Sequence, residues 1–423
     1  MKIKTVRKSY DEVMALPRPV HRNPKKPWWL LRTLVRILSV GDLMATHFTY
    51  TYEGREDLPK GPYLILMNHS SFIDLKIVSK ILYPKPFCIV STSDGMVGKE
   101  WLMRRIGCIP TQKYVTDLTL IKDMKYALRK KNTSVLMYPE AGYSFDGCAT
   151  ALPQKFGGLI KLLGVPVLMI TAYGAFSRDP LYNGLQKRKV KVNATVECLF
   201  TEEQVKEMTV PEMDEVVAKA FSFDNFRWQR ENHVEIRESF RADGLERILY
   251  KCPHCAAEGQ MKGEGGKIIC HACEKEYEMD ELGDLHATAG VTEFEHIPDW
   301  YRWERECVRQ ELERGSYLLD TDVEIGMLVD YKALYMVGEG HLTHDNNGFV
   351  LTGCDGKLHY EQKPLASYGL NSDYFWYEIG DMICIGNRDA LYYCFPKKEG
   401  VVSKTRLAAE ELFKLRSPMG RKG

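Results

Sequence analysis

The stretch Leu64-Ile-Leu-Met-Asn68-His69-Ser-Ser-Phe-Ile-Asp74 decides the fold of the first half of the chain. Its four leading apolar residues predict a short buried strand. Asn68 and His69 then stand at the carboxyl end of that strand, where ligands gather in open α/β sheets. A serine after them can cap a helix whose first turn holds Asp74. The carboxylate of Asp74 can therefore reach one imidazole nitrogen of His69, which leaves the other nitrogen available as a general base.

Similar short apolar runs alternate with helical segments over the next hundred residues. Strands are predicted at 63–67, 87–91, 134–138 and 165–172, and helices at 118–130, 156–163 and 211–220. Short apolar strands separated by helices predict an α/β fold with a mostly parallel sheet covered by helices. We place this domain at residues 51–225.

Composition and charge narrow the class of protein. A chain of 423 residues predicts two or three domains, and 44% hydrophobic with 27% charged residues is typical of a soluble globular protein. The net charge of +1 hides an asymmetry: residues 1–40 hold ten Lys and Arg against Asp11 and Glu12, a net +8, which leaves −7 for the rest. A basic arm on an acidic protein predicts an anionic partner, either a lipid headgroup or a nucleic acid.

An amphipathic helix is predicted after Pro27. One face of it is apolar and is made of Trp28, Leu31, Leu34, Val35 and Leu38, with Arg32 and Arg36 beside it. This make-up suits a helix that lies in a membrane interface, and docking of the same face on the protein core is the alternative. Residues 1–50 are therefore predicted to be a basic arm followed by a membrane-associating helix.

The apolar run of that helix is broken by arginines, so it predicts neither a signal peptide nor a membrane-spanning helix. We expect a cytoplasmic protein, peripheral on the inner face of the cell membrane, whose thiols are reduced.

Four segments of the first half resemble, in order, the characteristic blocks of the glycerolipid acyltransferases, the 1-acylglycerol-3-phosphate (lysophosphatidic acid) acyltransferase family. The first is Asn-His-Ser-Ser-Phe-Ile-Asp at 68–74, which matches Asn-His-x-Ser-x-x-Asp. The others are the segments 99–113, Tyr-Pro-Glu-Ala-Gly-Tyr-Ser at 138–144, and Gly-Val-Pro-Val at 164–167.

The resemblance implies transfer of a fatty acyl group from acyl-CoA or acyl carrier protein to the hydroxyl of a lysophospholipid. His69 would deprotonate that hydroxyl and Asp74 would stabilise the imidazolium. The resemblance also implies substrate-binding residues in the second and third blocks: Lys99, Arg105, Lys113, Glu140, Gly142 and Ser144.

The third block departs from the family at two positions. Tyr143 stands where the family has an arginine, and Ala141 where it has a glycine. Arginine offers a phosphate paired donors that tyrosine lacks. Either a basic residue of the second block (Lys99, Arg104, Arg105 or Lys113) binds the phosphate, or the acceptor is not simple lysophosphatidic acid. Lys113 is favoured because the family's own basic residue falls there.

Two Cys-x2-Cys pairs, Cys252/Cys255 and Cys270/Cys273, are separated by fourteen residues. This spacing predicts a four-cysteine zinc ribbon, and four thiolates leave no open position, so the zinc would be structural. The surrounding sequence is acidic, so a nucleic-acid partner is not expected. The linker helix and the ribbon are predicted to occupy residues 226–285.

The last part of the chain, 286–423, is predicted to be β-rich between two helices. The helices are at 298–315 and 402–416, and the strand-like runs are near 326–337, 348–353, 373–379, 382–386 and 390–395. Several strands followed by one helix resemble a pleckstrin-homology or GRAM-like fold.

Two functions therefore remain open from the sequence. One is a membrane-associated acyltransferase that uses His69 and Asp74. The other is a non-catalytic lipid-binding or regulatory protein on an acyltransferase scaffold, which the change to Tyr143 would favour.

Overall fold

A computed structural model describes residues 2–54, 58–115 and 117–417. The N-terminal segment holds four short elements: β1 (Thr5–Arg7), α1 (Tyr10–Met14), α2 (Trp29–Leu38) and α3 (Val40–Ala45). In the described ranges, no helix combines the length and the apolar character needed to cross a membrane.

The first sheet has seven strands. They are β2 (Thr49–Glu53), β3 (Leu64–Met67), β4 (Phe87–Thr92), β5 (Cys108–Thr111), β6 (Ser134–Met137), β7 (Val167–Tyr173) and β8 (Asn193–Phe200). Their spatial order is β2-β8-β7-β3-β6-β4-β5, and all neighbours are parallel except β7 and β8. The predicted α/β domain is confirmed, as a mixed sheet with one antiparallel pair.

Eight helices follow or cover these strands. They are α4 (Asp74–Leu82), α5 (Glu100–Ile106), α6 (Leu118–Lys130), α7 (Phe156–Leu163), α8 (Ala175–Arg178), α9 (Glu202–Glu207), α10 (Val210–Ala220) and α11 (Asn225–Glu231). Alternate residues of β3 lie on opposite faces of the sheet. Ile65 belongs to the apolar cluster that includes Ile77 of α4, and Leu66 to the one that includes Met124 of α6. Both faces of the sheet are therefore buried, which explains why its strands are continuously apolar.

A small antiparallel sheet follows. Its strands are β9 (Met261–Glu264), β10 (Lys267–Cys270), β11 (Glu276–Met279) and β12 (Leu285–Ala287), in the order β12-β11-β10-β9.

The last part of the chain forms a large antiparallel sheet between two helices. Its elements are α12 (Ile297–Arg314), β13 (Leu319–Leu328), β14 (Leu334–Asp345), β15 (Gly348–Gly353), β16 (Leu358–Gln362), β17 (Asn371–Trp376), β18 (Gly380–Gly386), β19 (Leu391–Pro396) and α13 (Val401–Arg416). The strand order is β16-β15-β14-β13-β19-β18-β17. The β-rich character is confirmed, and a pleckstrin-homology or GRAM-like fold stays a prediction.

One predicted strand of this part, 326–337, is wrong. The run is divided between the end of β13 and the start of β14 by a turn at Asp330. The carboxylate of Asp330 accepts hydrogen bonds from the backbone N–H of Lys332 (2.9 Å) and from the hydroxyl of Tyr335. An aspartate that bonds the backbone two residues on stabilises a turn, which interrupts an otherwise apolar run.

The N-terminal arm begins inside this last sheet. β1 pairs in parallel with β14, Thr5 opposite Leu334 and Arg7 opposite Met336. Val13 of α1 is fully buried in the core beneath it. The start of the chain is thus joined to its C-terminal part, although the sequence predicts a separate arm.

Candidate active site

The backbone at the end of β3 is fixed by Asn68. Its side-chain oxygen accepts from the backbone N–H of Ala172 (2.8 Å), and its amide nitrogen donates to the carbonyl of the same residue (2.9 Å). Ala172 belongs to the neighbouring strand β7, so this fully buried asparagine joins the two strand ends. It holds the next residue, His69, at the carboxyl edge of the sheet.

His69 and Asp74 form the predicted pair. The Nδ1 of His69 lies 3.0 Å from Oδ2 of Asp74, and the side chains are 20% and 2% exposed. The same carboxylate oxygen accepts from the backbone N–H groups of Ser70 (3.0 Å) and Ser71 (3.2 Å). These contacts fix the carboxylate at the first turn of α4. The Nε2 of His69 is left for substrate, which is the arrangement of a general base and its orienting partner.

The third sequence block holds His69 from the other side. Glu140 accepts from the backbone N–H of His69 (3.0 Å) through one oxygen and from that of Thr150 (2.8 Å) through the other. The backbone N–H of Ser144 donates to the carbonyl of His69 (3.2 Å). Glu140 is fully buried, and burial raises its pKa to about 7, against the hydrogen bonds from Thr150 and His69.

Two tyrosine rings sandwich the imidazole. The ring centroids of Tyr138 and Tyr143 lie 4.1 and 4.0 Å from that of His69, at interplanar angles of 26° and 29°. Burial lowers the pKa of His69; Asp74 opposes this shift and Lys113 adds to it. A lowered pKa keeps the imidazole neutral at neutral pH, as a base requires.

His69 opens onto a cavity of about 1210 Å³. Phe72, Tyr138 and Tyr143 give it an aromatic wall around the imidazole. Lys113 also lines it and is the sole Lys or Arg of the described residues that do so.

The remaining predicted binding residues take different places. Lys99 and Arg105 do not line the cavity. The Arg105 guanidinium lies instead over the rings of Trp28 (3.7 Å) and Trp101 (4.6 Å). Ser144 is buried and its hydroxyl donates to the carbonyl of Cys148 (2.6 Å). The structure thus brings Lys113 to His69 and Asp74, but not Lys99 or Arg105.

Gly142 lies in the loop between Glu140 and Ser144, and a Cβ there would meet the hydroxyl of Tyr114 at 3.9 Å. Ala141, just before it, adopts φ 56°, a left-handed conformation that a glycine adopts at lower cost. The alanine at this position therefore bears a conformational cost that a glycine would not.

The four predicted zinc ligands lie together. The sulfur atoms of Cys252, Cys255, Cys270 and Cys273 are all within 4.8 Å of one another, and two of the separations are 3.8 Å. Zn–S bonds of about 2.3 Å in a tetrahedron place sulfurs about 3.8 Å apart, so the group has the dimensions of a metal site.

The two halves of this site have the same backbone geometry. The residues after each Cys-x2-Cys pair, Ala256 and Glu274, have φ of 62° and 60°. The backbone N–H of each donates to the carbonyl of the first cysteine of its pair, Cys252 (2.9 Å) or Cys270 (2.8 Å). Two matching turns thus present the four thiols to one point, and the group could hold a metal ion.

Sequence reasoning missed three kinds of site residue. The supporting roles of Asn68 and Thr150 depend on contacts between distant segments, although Asn68 falls within the first block. Tyr138 directly follows β6, two residues before Glu140, and its ring stacks on His69. The cavity residues that follow residue 364 belong to no recognisable sequence motif. Only the tertiary structure shows that they line the cavity.

Part of the chain matches a known protein family. Residues 49–171 match the family model described as Acyltransferase. Residues 49–171 therefore form an acyltransferase-family domain, as the sequence blocks of the first half predict. No curated protein matches the chain.

Among solved structures, the chain is similar to the 1-acyl-sn-glycerophosphate (LPA) acyltransferase PlsC from Thermotoga maritima. The two are 18% identical with a TM-score of 0.33, over 45% of this chain and 78% of that one.

Proposed function

We propose that this chain is an acyltransferase that moves a fatty acyl group from acyl-CoA or an acyl carrier protein to the hydroxyl of a lysophospholipid. The observation that carries the proposal is the His69–Asp74 pair, 3.0 Å apart, at the wall of a cavity of about 1210 Å³ within the acyltransferase-family domain. A cavity of this size accommodates parts of two substrates at once.

The chemistry requires one base. The acceptor hydroxyl gives its proton to Nε2 of His69 while its oxygen attacks the thioester carbonyl carbon. The new C–O bond forms, the C–S bond breaks, and the proton passes to the departing thiolate. Asp74 stabilises the imidazolium that forms between these steps. The thioester is already activated, so no acyl-enzyme is needed.

Lys113 is the proposed contact for the acceptor phosphate, since it lines the cavity and acts electrostatically on His69. For Glu140 and Ser144 the contacts support a positioning role, because both hold the backbone of His69. Gly142 does not itself line the cavity, and its substrate-binding role stays a prediction. Lys99 and Arg105 lie away from the cavity, and their substrate-binding role finds no support there.

We propose that the outer face of α2 lies on an anionic membrane. The helix packs on α4, with Leu31 and Val35 next to Leu75 and Ser79. Its other face leaves five large apolar side chains exposed: Trp29 (70%), Leu30 (57%), Leu34 (46%), Ile37 (61%) and Leu38 (69%). Docking on the core and an exposed apolar face thus coexist. Of the predicted apolar face, Trp28, Leu34 and Leu38 are exposed, whereas Leu31 and Val35 lie next to α4. A peripheral site on the inner face of the cell membrane accords with this arrangement.

We also propose that the four thiols bind one structural zinc ion. Thiolate ligands at tetrahedral separations suit zinc. Its folding role is to hold the two cysteine turns together, and no step of acyl transfer uses it.

Acceptor-dependent release of CoA tests this function against the non-catalytic lipid-binding alternative. Purified chain is mixed with palmitoyl-CoA, with and without a lysophospholipid, and free thiol is measured together with the diacyl product. We expect thiol and product in equal amounts that depend on the acceptor. Tight lipid binding with neither thiol nor product would instead favour the non-catalytic protein.

A further inference from the structure

The C-terminal sheet supplies one wall of the cavity into which His69 opens. The tip of the β17–β18 hairpin reaches the cavity together with the segment before β17. The lining residues from this part include Leu365, Tyr368, Asp373, Phe375, Trp376 and Tyr377. The site is therefore built from two halves of the chain, and the acyltransferase-family segment alone does not enclose it.

The hairpin tip has an unusual backbone held by specific contacts. Phe375, Tyr377 and Glu378 all have positive φ, at 51°, 48° and 66°. Such conformations are costly in residues other than glycine and persist where the surroundings fix them, often at ligand sites. Here the ring of Tyr374 packs on Phe145 with centroids 4.8 Å apart, so the tip is anchored to the acyltransferase half.

Most charges around the cavity already have partners. Asp74 is paired with His69, Glu378 lies 4.0 Å from Lys2, and Asp94 accepts a hydrogen bond from Tyr377.

Lys113 and Asp373 are different. Among the described residues, neither takes part in an ion pair within 4.0 Å, although both line the cavity and the charge of Lys113 lowers the pKa of Asp373. Burial raises the pKa of Asp373 to about 6, against the effect of Lys113, so the carboxylate is mainly ionised at neutral pH.

A cation and an anion that face the same space without pairing offer a site for a ligand with both charges. Lys113 lines the same cavity as His69 and Asp373, and its charge lowers the pKa of both groups. A zwitterionic lysophospholipid carries its groups in the same order: hydroxyl, phosphate, then amine. The hydroxyl would meet His69, the phosphate Lys113 and the amine Asp373.

We propose that Lys113 and Asp373 select an acceptor whose phosphate is followed by a cationic group, in preference to one that ends in a phosphate or a neutral alcohol. This inference rests on the proposed function. It also accounts for Tyr143, because a site built for one phosphodiester charge has less need of the arginine that stands there in the family.

Two acceptors that differ only beyond the phosphate test the inference. Lysophosphatidylethanolamine carries the amine, and lysophosphatidylglycerol of the same acyl chain carries a neutral diol. The ratio of their kcat/KM values is measured for the wild-type chain, for Asp373→Asn and for Asp389→Asn. Asparagine at 373 retains an oxygen for the 2.9 Å hydrogen bond from the backbone N–H of Tyr374, so the hairpin is preserved. Asp389 is an exposed carboxylate of the same sheet region and serves as the matched control.

We expect a wild-type preference of at least about tenfold for the amine, the scale of one hydrogen bond to a charged group. Asp373→Asn should bring the ratio close to one, and Asp389→Asn should leave it unchanged. A wild-type ratio near one, or a preference that survives Asp373→Asn, overturns the inference.

Calorimetric binding of short-chain, monomeric forms of the two lipids separates this inference from the proposed function. If no acceptor supports CoA release, the proposed function fails, and selectivity is read from binding alone. A preference for the amine lipid that Asp373→Asn removes then still supports the inference, and equal affinities overturn it.

Discussion

Tyr143 departs from the sequence block that it resembles, and the structure places it against His69. It stands at the position of a family arginine, and its ring stacks on His69 with centroids 4.0 Å apart. Together with Tyr138 it excludes water from both faces of the imidazole. Tyr143 thus gives His69 an aromatic neighbour, while Lys113 is the Lys or Arg that lines the cavity in the described part of the chain.

Two variants separate the contribution of the Tyr143 ring from that of its hydroxyl. We expect Tyr143→Phe to keep kcat within about twofold and Tyr143→Ala to lower it by about three- to tenfold, the worth of one aromatic pair. The measurement is the steady-state rate of CoA release, with the fold of each variant checked by circular dichroism. An equal loss in both variants would show that the hydroxyl matters and that stacking does not.

At the scale of elements, the cysteine ribbon is docked by α12. The indole N–H of the fully buried Trp300 donates to the carbonyl of Lys251 (3.0 Å), and Glu304 accepts from the backbone N–H of the same residue (2.8 Å). Lys251 directly precedes Cys252, so the first cysteine turn is attached to the helix. If the cysteines hold a metal ion, its loss should therefore lower the stability of the C-terminal part of the chain.

Removing one ligand tests the ribbon. We expect about one zinc per wild-type chain by elemental analysis, and little or none in Cys252→Ser or Cys273→Ser, because three thiolates bind zinc far more weakly than four. Their unfolding temperature should fall, while Cys307→Ser, which lies outside the cluster, should keep the zinc. A wild-type chain that is folded and free of metal would contradict the assignment.

The exposed apolar face of α2 can be tested for membrane binding independently of the active site. Replacing Leu30, Ile37 and Leu38 with serine should reduce binding to phosphatidylglycerol vesicles by well over tenfold, since each buried apolar side chain contributes about 1.5–3 kcal/mol. Flotation with the vesicles measures this, and added salt should weaken the wild-type binding further. Val291→Ser removes an equally exposed apolar side chain (74%) elsewhere and should have no effect. Unchanged flotation of the triple variant would show that α2 is not the anchor.

At the scale of the whole molecule, the sequence predicts what depends on local pattern. The α/β alternation, the His69–Asp74 pair and the two cysteine pairs are set by spacing along the chain. Predicted helices at 118–130 and 156–163 agree with α6 and α7. Periodicity is informative for such elements because one face packs on the sheet.

Features that depend on distant contacts could not be predicted. A three-residue strand such as β1 has no pattern of its own, and its partner β14 begins at Leu334. The burial of Glu140 and the arrival of Asp373 at the cavity require the packed tertiary structure. The spacing of His69 and Asp74 can therefore be read from the local sequence, whereas the walls of the cavity depend on the packing of distant segments.

Acyl transfer by the His69→Ala variant tests most directly whether His69 is the general base. Diacyl product is counted by mass spectrometry after incubation with acyl-CoA and a lysophospholipid. The control is His359→Ala, which removes an exposed histidine that also has a carboxylate partner, Glu361, at 3.3 Å. We expect a fall of at least about 10²-fold for His69→Ala, the usual contribution of a general base, with the fold intact. His359→Ala should keep the wild-type rate. Wild-type turnover in a folded His69→Ala variant would show that His69 is not the general base.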